Sequence, residues 1–133
     1  MGKKIYLSGA TTDFDNPIGW HEDLQEEYED LEFINPYSIN DVDVGTGEAY
    51  NHPERICEPA RKEILDSDGM IVKWDSNTFL PGTVWEMTIA SEVADIPIIM
   101  EDNSRDWIHI KYMCKGIYKD MDKCVKIMQM LLN

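Results

Sequence analysis

The sequence predicts an α/β domain in which a parallel sheet of four or five strands lies between two layers of helices. Three observations carry that expectation. Short apolar runs alternate with stretches at helical spacing along nearly the whole chain. Pro97–Met100 is apolar on both faces, as a central parallel strand must be. The 133 residues suffice for one core but not for two ordinary domains, and no repeat or low-complexity stretch interrupts them. Together these give a single flavodoxin-like three-layer domain over residues 1–133, with ligands expected outside the carboxyl ends of the strands.

The elements follow in order. Lys4–Gly9 is a buried first strand ending in a small-residue turn, and Trp20–Leu31 carries acids and apolar residues at helical spacing. Glu32–Pro36 is a short second strand stopped by its proline, and Tyr37–Asn51 is polar and aperiodic, a long loop. Pro53–Ser67 returns to helical spacing with Ile56, Ala60, Ile64 and Leu65 as its inward stripe, and Gly69–Trp74 is a third strand. A turn at Asp75–Pro81 leads to a helix over Thr83–Ala94 and a fourth strand at Pro97–Met100. Trp107–Cys114 fits a fifth strand or a short helix. Lys119–Leu132 is an amphipathic closing helix with Met121, Cys124, Val125, Met128 and Leu132 on one side. That side is core or subunit interface. Burial between subunits is the expectation for an acidic chain this small.

Charge and cysteines narrow the function. With 26 acids against 12 bases the net charge is −14, which repels phosphate backbones and anionic lipid, so polymeric nucleic acid and membrane surfaces are poor partners. No run approaches the length of a membrane span, and the opening residues read as a strand rather than a signal peptide. Cys57, Cys114 and Cys124 have no CxxC spacing and leave an odd one over, which points to a reduced, cytoplasmic protein without a zinc site. His52 and His109 have no ligand-like neighbours in sequence, so no metal is expected.

If the sheet is parallel, the loop at residues 8–16, the loop at residues 75–82 and the segment after Asn35 meet at its carboxyl edge. The first holds Asp13, Asp15 and Asn16, and the second Asp75, Ser76, Asn77 and Thr78, with no Arg or Lys in either. Neither GxGxxG nor GxxxxGK[ST] occurs, so no nucleotide cofactor is expected, and the edge suits a polar neutral ligand such as a sugar or nucleoside. Glu86 lies one turn beyond the second loop. Thr83-Val-Trp-Glu86 fits a capping box, in which the glutamate reaches back to the helix start. The same residue fits a nucleophile, because a carboxylate against an anomeric carbon stabilises the positive charge that builds there and can then bond to it. Trp20 fits either a packing anchor or a surface for a base to stack on.

"KIYLSGA", "SDGMIVKWD" and "GTVWEMTIASEVADIPII" resemble, in order and spacing over about Lys4 to Ile99, the nucleoside 2-deoxyribosyltransferase family and its hydrolase relatives. That resemblance implies cleavage or exchange of the N-glycosidic bond of 2′-deoxynucleosides. Glu86 would be the nucleophile that takes the deoxyribosyl group, and Tyr6 would lie near it. Gly82 opens the Gly-x-x-x-Glu element, the most specific part of the match. Asp13, Asp15, Asp75 and Asn77 become candidates for contacts to sugar hydroxyls and base edge. The implied partners are a small deoxynucleoside, a free base and further copies of the chain in a homo-oligomer. The family's helper aspartate falls at Ala60. Glu58, Glu63, Asp66 or an acid of the first loop would have to replace it, or the chain binds a nucleoside without turning it over. With two acids in the first loop and Leu80 where monophosphate-using relatives place a serine, the free nucleoside is expected to be preferred to its 5′-monophosphate.

Overall fold

The computed structural model describes residues 2–9, 19–34, 51–74, 81–102 and 107–133. Strands β1 (Lys4–Gly9), β2 (Glu32–Ile34), β3 (Gly69–Trp74), β4 (Ile98–Asp102) and β5 (Gly116–Tyr118) form one sheet in the order β2-β1-β3-β4-β5. Every neighbouring pair is parallel. Between them run α1 (Gly19–Glu27), α2 (Glu54–Leu65), α3 (Pro81–Thr88), α4 (Ile108–Met113) and α5 (Met121–Leu132), and α3 continues into a π-helical turn over Ile89–Ala94. This is the flavodoxin-like α/β architecture, with five strands.

Successive strand residues face opposite sides, and this alternation divides the core in two. Tyr6, Met70, Val72, Trp74, Ile98 and Met100 pack with Ile64 of α2, Met87 of α3, Ile89 and Ala90 of the π-helical turn, and Ile110 of α4. Ile5, Leu7, Ile71 and Ile99 pack on the other face with Leu24 of α1 and Cys124, Val125 and Met128 of α5. The chain order reverses between β1 and β3, so the crevice of this fold opens where those two strands end.

Several local expectations change. Of the two alternatives for residues 107–114 the short helix is the one formed, α4: Ile110 is buried and Met113 packs beside it, while Ile108 and Tyr112 are exposed. The fifth strand follows it. Leu65 points to solvent, since helix neighbours lie about 100° apart and Ile64 takes the inward position. Helix α1 stops at Glu27, where Gln25 accepts from the Phe33 N–H and donates to the Leu31 carbonyl, both at 2.9 Å, tying the helix end to β2. The closing helix places Cys124, Val125 and Met128 fully inside this one chain, against the expectation of an intersubunit face. A Cβ on Gly69 would come within 2.6 Å of the Met128 sulfur, so the end of the Met128 side chain rests directly on the bare glycine of β3. The exposed residues of α5 include Met130 and Leu131. Among the described residues no helix is long and apolar enough to cross a membrane.

Candidate active site

Strand alternation puts Tyr6 and Ser8 on the same face of β1, and both are fully buried. Helix α3 crosses that face and brings Glu86 down onto them. Tyr6 donates its hydroxyl to one carboxylate oxygen of Glu86, and Ser8 Oγ donates to the other at 2.5 Å. Glu86 is therefore not occupied as a cap. The helix begins at Pro81 rather than Thr83, and Thr83 is itself buried. A carboxylate whose two oxygens both accept has the bonding pattern of the ionised form.

Two influences act on its charge in opposite senses. Burial pushes the Glu86 carboxyl above the ordinary carboxylate range, while the Ser8 and Tyr6 hydroxyls pull it back; burial prevails. The result is a half-buried carboxylate, held by two hydroxyls, at the carboxyl ends of β1 and β3. On the same face, two residues beyond Val72, Trp74 packs edge-on against Trp107 with ring centroids 5.2 Å apart.

Of the other residues singled out in the sequence, Tyr6 lies against Glu86, as the resemblance implied. Gly82 is exposed in the first turn of α3, with open space where a Cβ would stand. Trp20 lies on the opposite face of the sheet edge. It meets His21 edge-on at 4.1 Å and sits under Gly9, whose Cβ would come within 3.0 Å of its ring and 2.8 Å of the Lys73 carbonyl. Asp13, Asp15, Asn16, Asp75, Ser76, Asn77, Thr78 and Leu80 lie outside the described residues, as does most of the long loop after Asn35.

The proposed replacements for an acid at Ala60 are mostly excluded. Ala60 is buried in α2, and Glu58 is exposed. Asp66 and Glu63 bind the ammonium of Lys4 at 2.7 and 3.3 Å, and Asp68 accepts the Lys4 N–H at 2.9 Å. Lys4 starts β1, so those acids sit about 13 Å along the strand from Ser8, at the opposite edge of the sheet. Burial pushes the Cys124 thiol up to about 12, which makes it inert at neutral pH. Among the described residues no group of three or more His, Cys, Asp or Glu is placed to hold a metal.

One contributor, Ser8, carries no signal of its own as the end of a strand, although its position two residues after Tyr6 places both hydroxyls on one face. Lys73, the partner of Gly9 in the β1–β3 register, instead turns to the other face, where its ammonium lies 5.7 Å from the centroid of the Trp20 ring.

Neither a family model nor a curated protein matches the sequence. Solved structures do. A 2-deoxyribosyltransferase from the psychrotolerant bacterium Bacillus psychrosaccharolyticus superposes with a TM-score of 0.68 at 15% identity, covering 90% of this chain and 88% of its own. A conserved protein from Enterococcus faecalis V583 gives 0.60 at 18% identity over 98% and 88%, and the CMP N-glycosidase BcmB of Clostridium botulinum gives 0.56 at 18% over 94% and 98%. At 15 to 18% identity such likeness establishes a fold, and the fold this chain has is the one on which a 2-deoxyribosyltransferase and a CMP N-glycosidase are built.

Proposed function

We propose that this protein cleaves or exchanges the N-glycosidic bond of a 2′-deoxynucleoside or its phosphorylated form, with Glu86 as the nucleophile. The observation that carries this reading is the Glu86 carboxylate held between the Tyr6 and Ser8 hydroxyls at the carboxyl edge of the sheet. The solved structures of similar fold, which include a 2-deoxyribosyltransferase and a CMP N-glycosidase, support the bond class.

The chemistry follows from the geometry. As the bond between C1′ and the base nitrogen lengthens, positive charge develops on the sugar, and a carboxylate fixed beside C1′ stabilises it. A carboxylate oxygen then bonds to C1′, and the bonding electron pair leaves with the base, which takes up a proton. With alanine at position 60, Asp13 and Asp15 of the first loop are the candidate donors. Water or a second base next attacks C1′, and the carboxylate departs unchanged. Tyr6 and Ser8 orient the carboxylate, and their hydrogen bonds oppose the upward push that burial gives its pKa.

The test is incubation with a 2′-deoxynucleoside and a different free base, followed by chromatography. New nucleoside defines a transferase, and free base alone defines a hydrolase. Ligand-dependent stabilisation without either product would reject the catalytic reading and leave a nucleoside-binding module, the alternative that the buried Ala60 favours.

A further inference from the structure

The bases of this acidic chain are not spread evenly over it. Lys111, Lys115, Lys119 and Lys123 are all exposed and surround β5. Lys111 lies in the last turn of α4, Lys115 and Lys119 flank the strand, and Lys123, in the first turn of α5, sits 5.0 Å from the centroid of the Tyr118 ring. Among the described residues none of the four pairs with a carboxylate. The acids of this stretch are used within the chain: Asp120 caps α5 by accepting the Asp122 N–H at 3.0 Å, and Asp122 binds Lys126 at 3.0 Å. β5 is an edge strand, and next to it in the chain α4 turns Ile108 and Tyr112 outward, 75% and 80% exposed. The other edge of the sheet is β2. There α1 and the turn after it expose Glu22, Asp23, Glu26, Glu27, Glu29 and Asp30, and residues 19–34 contain no Lys or Arg.

We propose that the protein associates with further copies of itself head to tail, the lysine-flanked β5 edge of one copy receiving the acidic α1 edge of the next. Charge complementarity names the occupant. β2 and β5 are four strand spacings apart, about 19 Å, more than twice the screening length of about 8 Å at physiological ionic strength. The two edges therefore scarcely neutralise each other within one molecule, and each keeps its sign for a neighbour. The same screening confines the repulsion between two chains of net charge −14 to the surfaces that meet, and there the charges are opposite. Because the edges face away from each other, the contact is heterologous and repeats from copy to copy. Lysines also keep an edge strand from pairing, which accounts for Lys115 and Lys119 but not for Lys111, Lys123 or the exposed Ile108 and Tyr112. Those two side chains supply the apolar area that an interface of charges alone lacks. The proposal is independent of the glycosidic reading.

Sedimentation velocity over a rising concentration series, at physiological ionic strength, tests this on four samples. They are the wild type, the double variant Lys115→Glu with Lys119→Glu, the double variant Asp23→Lys with Glu26→Lys, and an equimolar mixture of the two variants. The weight-average mass of the wild type is expected to rise more than twofold above 15.4 kDa. Each variant is expected to remain a monomer, and the mixture to regain association, since one variant keeps the acidic edge and the other the basic edge. Zero-length carbodiimide cross-linking of the wild type needs no variant. It is expected to join Lys115 or Lys119 to an acid of α1, a link that a separation of about 19 Å forbids within one copy. A wild type that stays at 15.4 kDa throughout, a mixture that stays monomeric, or association that survives both reversals without that cross-link would overturn the proposal and assign the lysines to guarding the β5 edge.

Discussion

Replacing Glu86 separates its chemistry from its structural role, and the two substitutions Glu86→Gln and Glu86→Ala give different signatures. Alanine removes the acceptor shared by the Tyr6 and Ser8 hydroxyls. Hydrogen bonds to a charged group contribute about 1.5–3 kcal/mol each, and releasing a desolvated charge returns part of the loss, leaving a net cost on the order of 2–4 kcal/mol. That exceeds the ~0.5–2 kcal/mol expected of a lost cap but is less than the total stability of a typical domain, about 5–15 kcal/mol. Glu86→Ala should therefore fold, with Tm lowered by roughly 6–16 °C for a chain of this size. Glutamine keeps the shape and an acceptor while deleting the charge. Because burial raises the Glu86 carboxyl above its value of 4.5 in the unfolded chain, the native state binds that proton more tightly. Its contribution to stability is most favourable below the unfolded pKa, declines as pH rises from there to the folded pKa, and stays low above it. Glu86→Gln lacks this decline, so it should match the wild type in acid and exceed it at neutral pH. Both variants should lose at least about 10³-fold in turnover, the scale for a covalent nucleophile. Denaturation across pH, chromatography of products, and intact-protein mass spectrometry for a deoxyribosyl adduct present only in the wild type are the assays. Near-wild-type turnover by Glu86→Gln would refute the reasoning.

The hydroxyls that hold the carboxylate should set the acid side of the activity profile: in Tyr6→Phe and Ser8→Ala the acid limb should move to higher pH and kcat fall by about 10- to 100-fold, whereas an unmoved limb would reduce both residues to packing. Gly9→Val should lower stability by about 1–3 kcal/mol, since the contact 2.8 Å away is backbone and cannot step aside; an unchanged melting curve and Trp fluorescence would contradict the close approach. Met128→Ala should cost about 2–5 kcal/mol as a core cavity, and the loss should not depend on protein concentration, because a concentration-dependent loss would return the closing helix to a subunit interface.

Much of the fold is legible along the chain because strands, helices and turns are local in cause. The two-sided apolar runs at Lys4–Gly9, Gly69–Trp74 and Pro97–Met100 each become a sheet strand, since only a parallel strand covered on both faces uses such a run. Local pattern fails where one pattern has two solutions. Ile108-His-Ile-Lys-Tyr112 alternates like a strand, but the pair that meets the core is Ile110 and Met113, three apart on one helix face. The apolar side of Met121–Leu132 suits an interior or an interface equally, and only its packing on Ile5, Leu7, Ile71 and Ile99 places Cys124, Val125 and Met128 in the interior.

Glu86 marks the limit most clearly. Its spacing from Thr83 is a property of four consecutive residues and serves a cap and a nucleophile alike. The partners that draw it away from the cap, Tyr6 and Ser8, are 80 and 78 positions away. The sequence by itself determines that a carboxylate stands near the start of α3 and that two hydroxyls share one face of β1. Only the tertiary structure, by laying α3 across that face, joins them, and only the β1–β3 register sets Lys73 beside Gly9. Proximity between distant segments comes from packing the whole sheet, and no local window of the chain contains that information.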